Sequence, residues 1–163
     1  AMSRVDWRSR VDVNRPPSLA YVDADGCGLL RVYGWTSDRA EAIVVGVRLP
    51  EHGPSTPSAT FDLASASASV DVEAHVYDAP QKRFDFCSDV RILPGPDAIQ
   101  PEKWRAVAGT MTIDLSDPGI RARRPAARRA TITLSDVVWL NATGQTVRGP
   151  RAVRLTAIVG PMW

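Results

Sequence analysis

Alternation of apolar and polar residues at every second position constrains this chain more than any other feature. In Val70-Asp71-Val72-Glu73-Ala74-His75-Val76-Tyr77 the apolar side chains fall on one side of an extended backbone and the polar ones on the other. That is the pattern of a strand with one buried and one wet face. Val107, Gly109, Met111, Ile113 and Leu115 alternate in the same way with Ala108, Thr110, Thr112, Asp114 and Ser116. Ala130, Ile132 and Leu134 repeat the pattern, as do Val153, Leu155, Ala157 and Val159.

Further strands are expected over Leu29 to Trp35 and Ala42 to Leu49, joined by the polar turn Thr36-Ser37-Asp38-Arg39. Val5 to Val13, Leu19 to Val22 and Arg83 to Cys87 carry weaker strand patterns. No segment shows a sustained 3.6-residue apolar stripe with caps. The helix expectation is one turn at Pro101-Glu102-Lys103-Trp104, where proline suits a helix start. Long loops are expected over Pro50 to Ser58, Pro94 to Pro101 and Asp117 to Pro125, and a flexible lead-in over Ala64 to Ser69. The fold class read from this is all-β: an antiparallel β-sandwich of about eight strands with little helix, and a barrel as the alternative.

At 163 residues the chain fits one domain, residues 1–163, with 1–18 as an N-terminal strand or arm. Its 44% apolar and 23% charged residues are ordinary for a globular protein. The formal charge of +2 rests on arginine, since Lys82 and Lys103 are the only lysines, a bias expected of a GC-rich bacterial genome. A charge so near neutrality argues against a dedicated nucleic-acid binder. No apolar run approaches the roughly 18–20 residues of a membrane-spanning helix. Ala1-Met2-Ser3-Arg4 leads into charged residues and not into an apolar segment, so no export signal is read within these residues.

Two cysteines, Cys27 and Cys87, lie 60 positions apart. In an exported domain such a pair oxidises, and closing a loop of that length stabilises a fold by about 4 kcal/mol in the chain-entropy model. The alternative is two buried thiols acting as small hydrophobes. There is no CxxC motif and no neighbouring histidine, so metal binding through these thiols is not expected. A catalytic cysteine would need a base. Only His52 and His75 exist, one in a Pro/Gly loop and one on the polar face of a strand, and both read as surface residues.

Asp23-Ala24-Asp25-Gly26 begins like a calcium loop, but no Glu falls near the twelfth position, and a tight turn before a strand is expected instead. Phe61-Asp62-Leu63-Ala64 resembles part of the FDLDA motif of the calcium-binding tellurite-resistance family. Ala64 stands where that motif has its second Asp, so no metal is assigned, and no other cofactor is expected. Asp62, Ser65 and Ser67 also miss the spacing of integrin-type metal sites. Asp85, Asp89 and Asp136 offer carboxylates for an acid–base pair without any spacing that joins them. No GxSxG elbow, HExxH, P-loop or dinucleotide fingerprint occurs.

Arg121, Arg123, Arg124, Arg128 and Arg129 crowd one inter-strand connection, with Arg148, Arg151 and Arg154 as possible neighbours. Such a cluster would concentrate anions, although the stretch contains no aromatic residue for base stacking. Five tryptophans, Trp7, Trp35, Trp104, Trp139 and Trp163, could stack on sugar faces or fill a core, and Trp104 is the one assigned to a possible ligand site.

With these strands placed, Cys27 before a strand, Phe84-Asp85-Phe86-Cys87-Ser88-Asp89-Val90, Trp104-Arg105-Ala106-Val107, Gly109-Thr110-Met111-Thr112-Ile113 and Ala130-Thr131-Ile132-Thr133-Leu134 form one series. Over residues 20 to 160 it resembles uncharacterised exported β-sandwich and lipoprotein-like domains of Gram-negative bacteria, though without a lipobox cysteine. The resemblance implies a periplasmic or cell-surface location and a disulfide, and no catalytic residue. The function expected is a non-enzymatic structural or interaction domain whose partner is another protein or a cell-surface component. A carbohydrate- or anion-binding module and a hydrolase with an unrecognised site are the alternatives.

Overall fold

The computed structural model describes residues 15–28, 30–48, 58–65, 69–81, 86–87, 101–116 and 128–160. They form nine antiparallel strands: β1 Tyr21–Cys27, β2 Arg31–Thr36, β3 Glu41–Val47, β4 Ser58–Asp62, β5 Val70–Val76, β6 Glu102–Ser116, β7 Arg128–Asn141, β8 Thr146–Arg148 and β9 Ala152–Val159. The all-β class stands, and no helix occurs among the described residues. The two layers expected of a sandwich belong to a single sheet, ordered β1-β2-β3-β5-β6-β7-β8, with β4 added to β6 and β9 to β7. That sheet curls until Gly28 and Gly160 meet in one bridge, Gly160 N–H donating to Gly28 O at 2.8 Å. It is nearly closed into a barrel.

The long ribbon β6–β7 makes this possible by changing partners along its length. The first part of β6 pairs with β5 through Glu102 to Arg105, and its second part pairs with β4 through Thr110 to Asp114. Likewise β7 holds β9 along Arg128 to Ser135 and β8 along Val138 to Leu140. Between the halves the β6–β7 register shifts at Ala106/Ala108 and again at Ala108/Thr110. Gly109 sits there with φ +112, and a Cβ on it would lie 2.8 Å from Val137 Cα and 2.9 Å from the carbonyl oxygens of Ser135 and Asp136. Only glycine permits the ribbon to bend this closely on itself.

The seam between β1 and β9 depends on a second glycine. A Cβ on Gly26 would come within 2.8 Å of Val159 Cγ1 and 3.0 Å of Ile158 O. Alternation aims Val32, Ile43, Val45, Val72, Met111, Ile132, Leu134 and Leu155 inward, where they form one continuous core with Trp104 and Trp139. Interdigitated apolar burial of this kind is the main force holding such a sheet closed.

Several sequence expectations change. Pro101 to Trp104 opens no helix: Glu102 is the first residue of β6, and Trp104 belongs to the core. Asp23-Ala24-Asp25-Gly26 is no tight turn but the body of β1, and the chain reverses after Cys27. Strands β4 and β8 were not expected, and β1 starts at Tyr21, within Leu19 to Val22. Of Arg83 to Cys87, Phe86 and Cys87 lie in a turn and the rest falls outside the described residues, as does Val5 to Val13. The loops expected at 50–57, 94–100 and 117–125 also lie outside them.

Candidate functional site

Antiparallel pairing puts residues opposite one another on the same face of a sheet. The outer face of β2, β3, β5 and β6 can therefore be read row by row. One row holds Arg31, Gly46 and Asp71, the next Tyr33, Val44, Glu73 and Arg105, and the third Trp35, Ala42, His75 and Lys103. An outer face would ordinarily be wet, yet Tyr33, Trp35, Ala42 and Tyr77 are buried there in a second apolar cluster.

Phe86 covers this cluster. Its ring centroid lies 5.4 Å from Tyr33, 5.6 Å from Trp35 and 5.7 Å from His75. Trp35 stacks on Tyr77 at 6.0 Å. The next residue, Cys87, is disulfide-bonded to Cys27 at the end of β1, with 5.8 Å between the Cα atoms. Arg31 Nη1 adds a hydrogen bond to Phe86 O at 3.2 Å. The expected Cys27–Cys87 crosslink is thus present, and it fastens an aromatic plug onto the outside of the sheet. A disulfide of this kind fits an oxidising, exported environment.

His75 is not the open surface residue expected, since its side chain is only 12% exposed beneath Phe86. Its Nε2 lies 3.0 Å from Glu73 Oε2. Burial lowers the His75 pKa even though Glu73 works to raise it. Burial likewise pushes the Tyr77 hydroxyl up to about 12.

The first row, Arg31, Gly46 and Asp71, together with Arg105 of the second, lines a cleft of about 670 Å³. It lies where β6 has left β5 after Arg105 and not yet reached β4 at Thr110, so Ala106 and Val107 form part of its wall. Arg31, Arg48, Arg105 and Asp71 supply the charged groups of the lining. The Asp71 pKa is raised, first by burial and then by the neighbouring charge of Glu73, while Arg105 and Arg31 act in the opposite direction. Gly46 leaves space in this wall: a Cβ there would meet nothing within 4 Å.

At the other end of β3, Glu41 is 3% exposed. Its carboxylate accepts from Ser18 N–H at 2.8 Å, Ser18 Oγ at 2.9 Å, Leu19 N–H at 3.0 Å and the Tyr21 hydroxyl at 2.6 Å. Burial, followed by the charge of Glu41, raises the Tyr21 pKa well above its ordinary value. This carboxylate is occupied in fastening the entry of the chain to the barrel.

The sequence-derived sites fare differently. Trp104 is fully buried and offers no ring to a ligand; Trp35 and Trp139 are buried as well. Arg128 and Arg129 begin β7 with exposed side chains, whereas Arg121, Arg123 and Arg124 lie outside the described residues, together with Trp7, Trp163, His52, Asp85 and Asp89. Asp62 accepts from Ala64 N–H through Oδ1 at 3.0 Å and so shapes the turn after β4. Among the described residues no three His, Cys, Asp or Glu side chains gather as a metal site. No family model matches the chain, and no solved structure matches it.

Proposed function

We propose that this chain is a non-enzymatic interaction domain of an exported bacterial protein, acting through the surface of a disulfide-braced β-barrel. The reading is carried by the Cys27–Cys87 crosslink, which holds Phe86 against Tyr33, Trp35 and His75 on the outside of the sheet. A brace on the outer face fixes surface shape in a compartment where thiols oxidise. The resemblance to exported lipoprotein-like domains supports the same location, in the periplasm or at the cell surface. Among the described residues, the buried acid Glu41 is spent on local hydrogen bonds, which favours a scaffold over a hydrolase.

The test uses the full precursor expressed in a bacterium, with photocrosslinking side chains at Val22 and Ile158, which are 63% and 39% exposed. The expected result is an envelope fraction free of reactive thiols and one discrete crosslinked adduct at a fixed position. Cytosolic protein with two titratable thiols would overturn the export reading. Absence of any adduct on whole cells would count against an interaction domain.

A further inference from the structure

The cleft between β5 and β6 carries an assignment that the arginine-rich connection does not. Among the described residues three guanidinium groups and one carboxylate line it, a net charge of +2 (three Arg minus one Asp). None of the three arginines lies within ion-pair distance of Asp71; the ion pair found among the described residues is His75–Glu73. Arg105 and Arg31 act on Asp71 only through space, so the guanidinium N–H groups of Arg48 and Arg105 are not taken up by a contact ion pair among the described residues. A volume of about 670 Å³ is suited to a small ligand of one to three rings.

Chemistry narrows the class. Guanidinium groups recognise carboxylate and phosphate through paired N–H donors. Asp71 among them opposes any bare anion, phosphate or carboxylate alike, but it can accept hydrogen bonds from hydroxyl groups on the same ligand. Among the described residues the lining contains no aromatic side chain, so a neutral sugar would find no ring of theirs to stack on. A ligand with one acid group and several hydroxyls uses both kinds of group at once. We propose that the cleft binds an acidic sugar, its carboxylate held by Arg31, Arg48 and Arg105 and its hydroxyls by Asp71. This inference rests on the reading of the chain as an exported binding surface, and its test addresses the cleft alone.

Three probes are titrated into the isotope-labelled protein and followed by backbone amide NMR: a uronic-acid trisaccharide, the neutral trisaccharide of the same linkage, and inorganic phosphate. The uronate trisaccharide is expected to shift Gly46, Asp71, Ala106 and Val107 selectively. Arg48→Ala and Arg105→Ala should each weaken it about tenfold or more. Gly46→Leu should abolish it with little change in melting temperature, because the added side chain enters open space. No shift at about 10 mM uronate, equal binding of the neutral sugar, or phosphate binding as tightly as the uronate would each overturn the assignment. Failure here leaves the crosslinking result on whole cells unaffected.

Discussion

The Tyr21 hydroxyl donates to Glu41 Oε1 at 2.6 Å across the mouth of the barrel, joining β1 to β3 through a carboxylate that is almost wholly buried. Three other donors meet the same group, two of them backbone N–H groups of Ser18 and Leu19. A buried charge held this way is costly to disturb, because every donor loses its partner together.

Glu41→Gln should therefore cost about 2–3 kcal/mol, since the amide turns an N–H pair toward groups that are themselves donors. Tyr21→Phe removes one donor and should cost about 1.5 kcal/mol. Urea denaturation of the two variants gives both numbers. A Glu41→Gln loss below that of Tyr21→Phe would mean that the backbone donors contribute nothing.

The bend of the β6–β7 ribbon sets a second expectation. Gly109→Ala adds a methyl group 2.8 Å from Val137 Cα at a residue with φ +112, so strain and overlap combine. The expected cost is about 2–4 kcal/mol. Gly144→Ala is the control: φ is +86 there, but a Cβ meets nothing within 4 Å, and only the backbone penalty of about 1 kcal/mol applies. Equal losses in thermal melts of the two variants would remove the special role of the bend.

Much of this barrel was legible because its strands keep strict period two: β5 and β9 alternate buried and open residues along their whole length. Legibility failed where local chemistry imitated something else. Pro101-Glu102-Lys103 reads as a helix start, and pairing with β5 together with the burial of Trp104 in the core makes it a strand. Asp23-Ala24-Asp25-Gly26 reads as a turn because an edge strand facing water keeps polar residues, while Gly26 is small to admit β9. The cleft had no local signature at all. Arg31, Gly46 and Asp71 become neighbours only through the register of three strands, and Arg105 joins them from a fourth.

Acid should weaken the plug on the outer face through His75. Its pKa is lowered in the folded chain, so as pH falls the unfolded chain takes up this proton first. Stability contributed by neutral His75 is complete above about pH 6.5 and is lost below it. Glu73, Lys103, Asp71 and the Phe86 ring surround the imidazole, and the raised pKa of Asp71 acts the other way, adding stability as that carboxyl protonates. The His75 contribution is isolated by comparison with His75→Gln. The melting temperature of the native chain should fall more steeply from pH 6.5 downward than that of the variant; parallel curves would exclude His75 as the cause.

The crosslink itself has a consequence for the surface as well as for stability. Replacing Cys27 and Cys87 by alanine opens a 60-residue separation, and the chain-entropy model gives a loss of about 4 kcal/mol. Phe86 would then keep its ring contacts with Tyr33 and Trp35 and its hydrogen bond from Arg31 but lose its covalent tether. Aromatic pairs contribute about 0.5–1.5 kcal/mol each beyond their buried area, and the unlinked turn must also give up its own conformational freedom. The plug should therefore lift without the barrel unfolding, exposing Tyr33 and Trp35. Guanidinium denaturation reads the stability loss, and a red-shifted tryptophan emission with added dye binding, under conditions where the far-ultraviolet β signal persists, reads the uncovering. Unchanged emission in the alanine pair would show that the rings hold the turn in place without the disulfide.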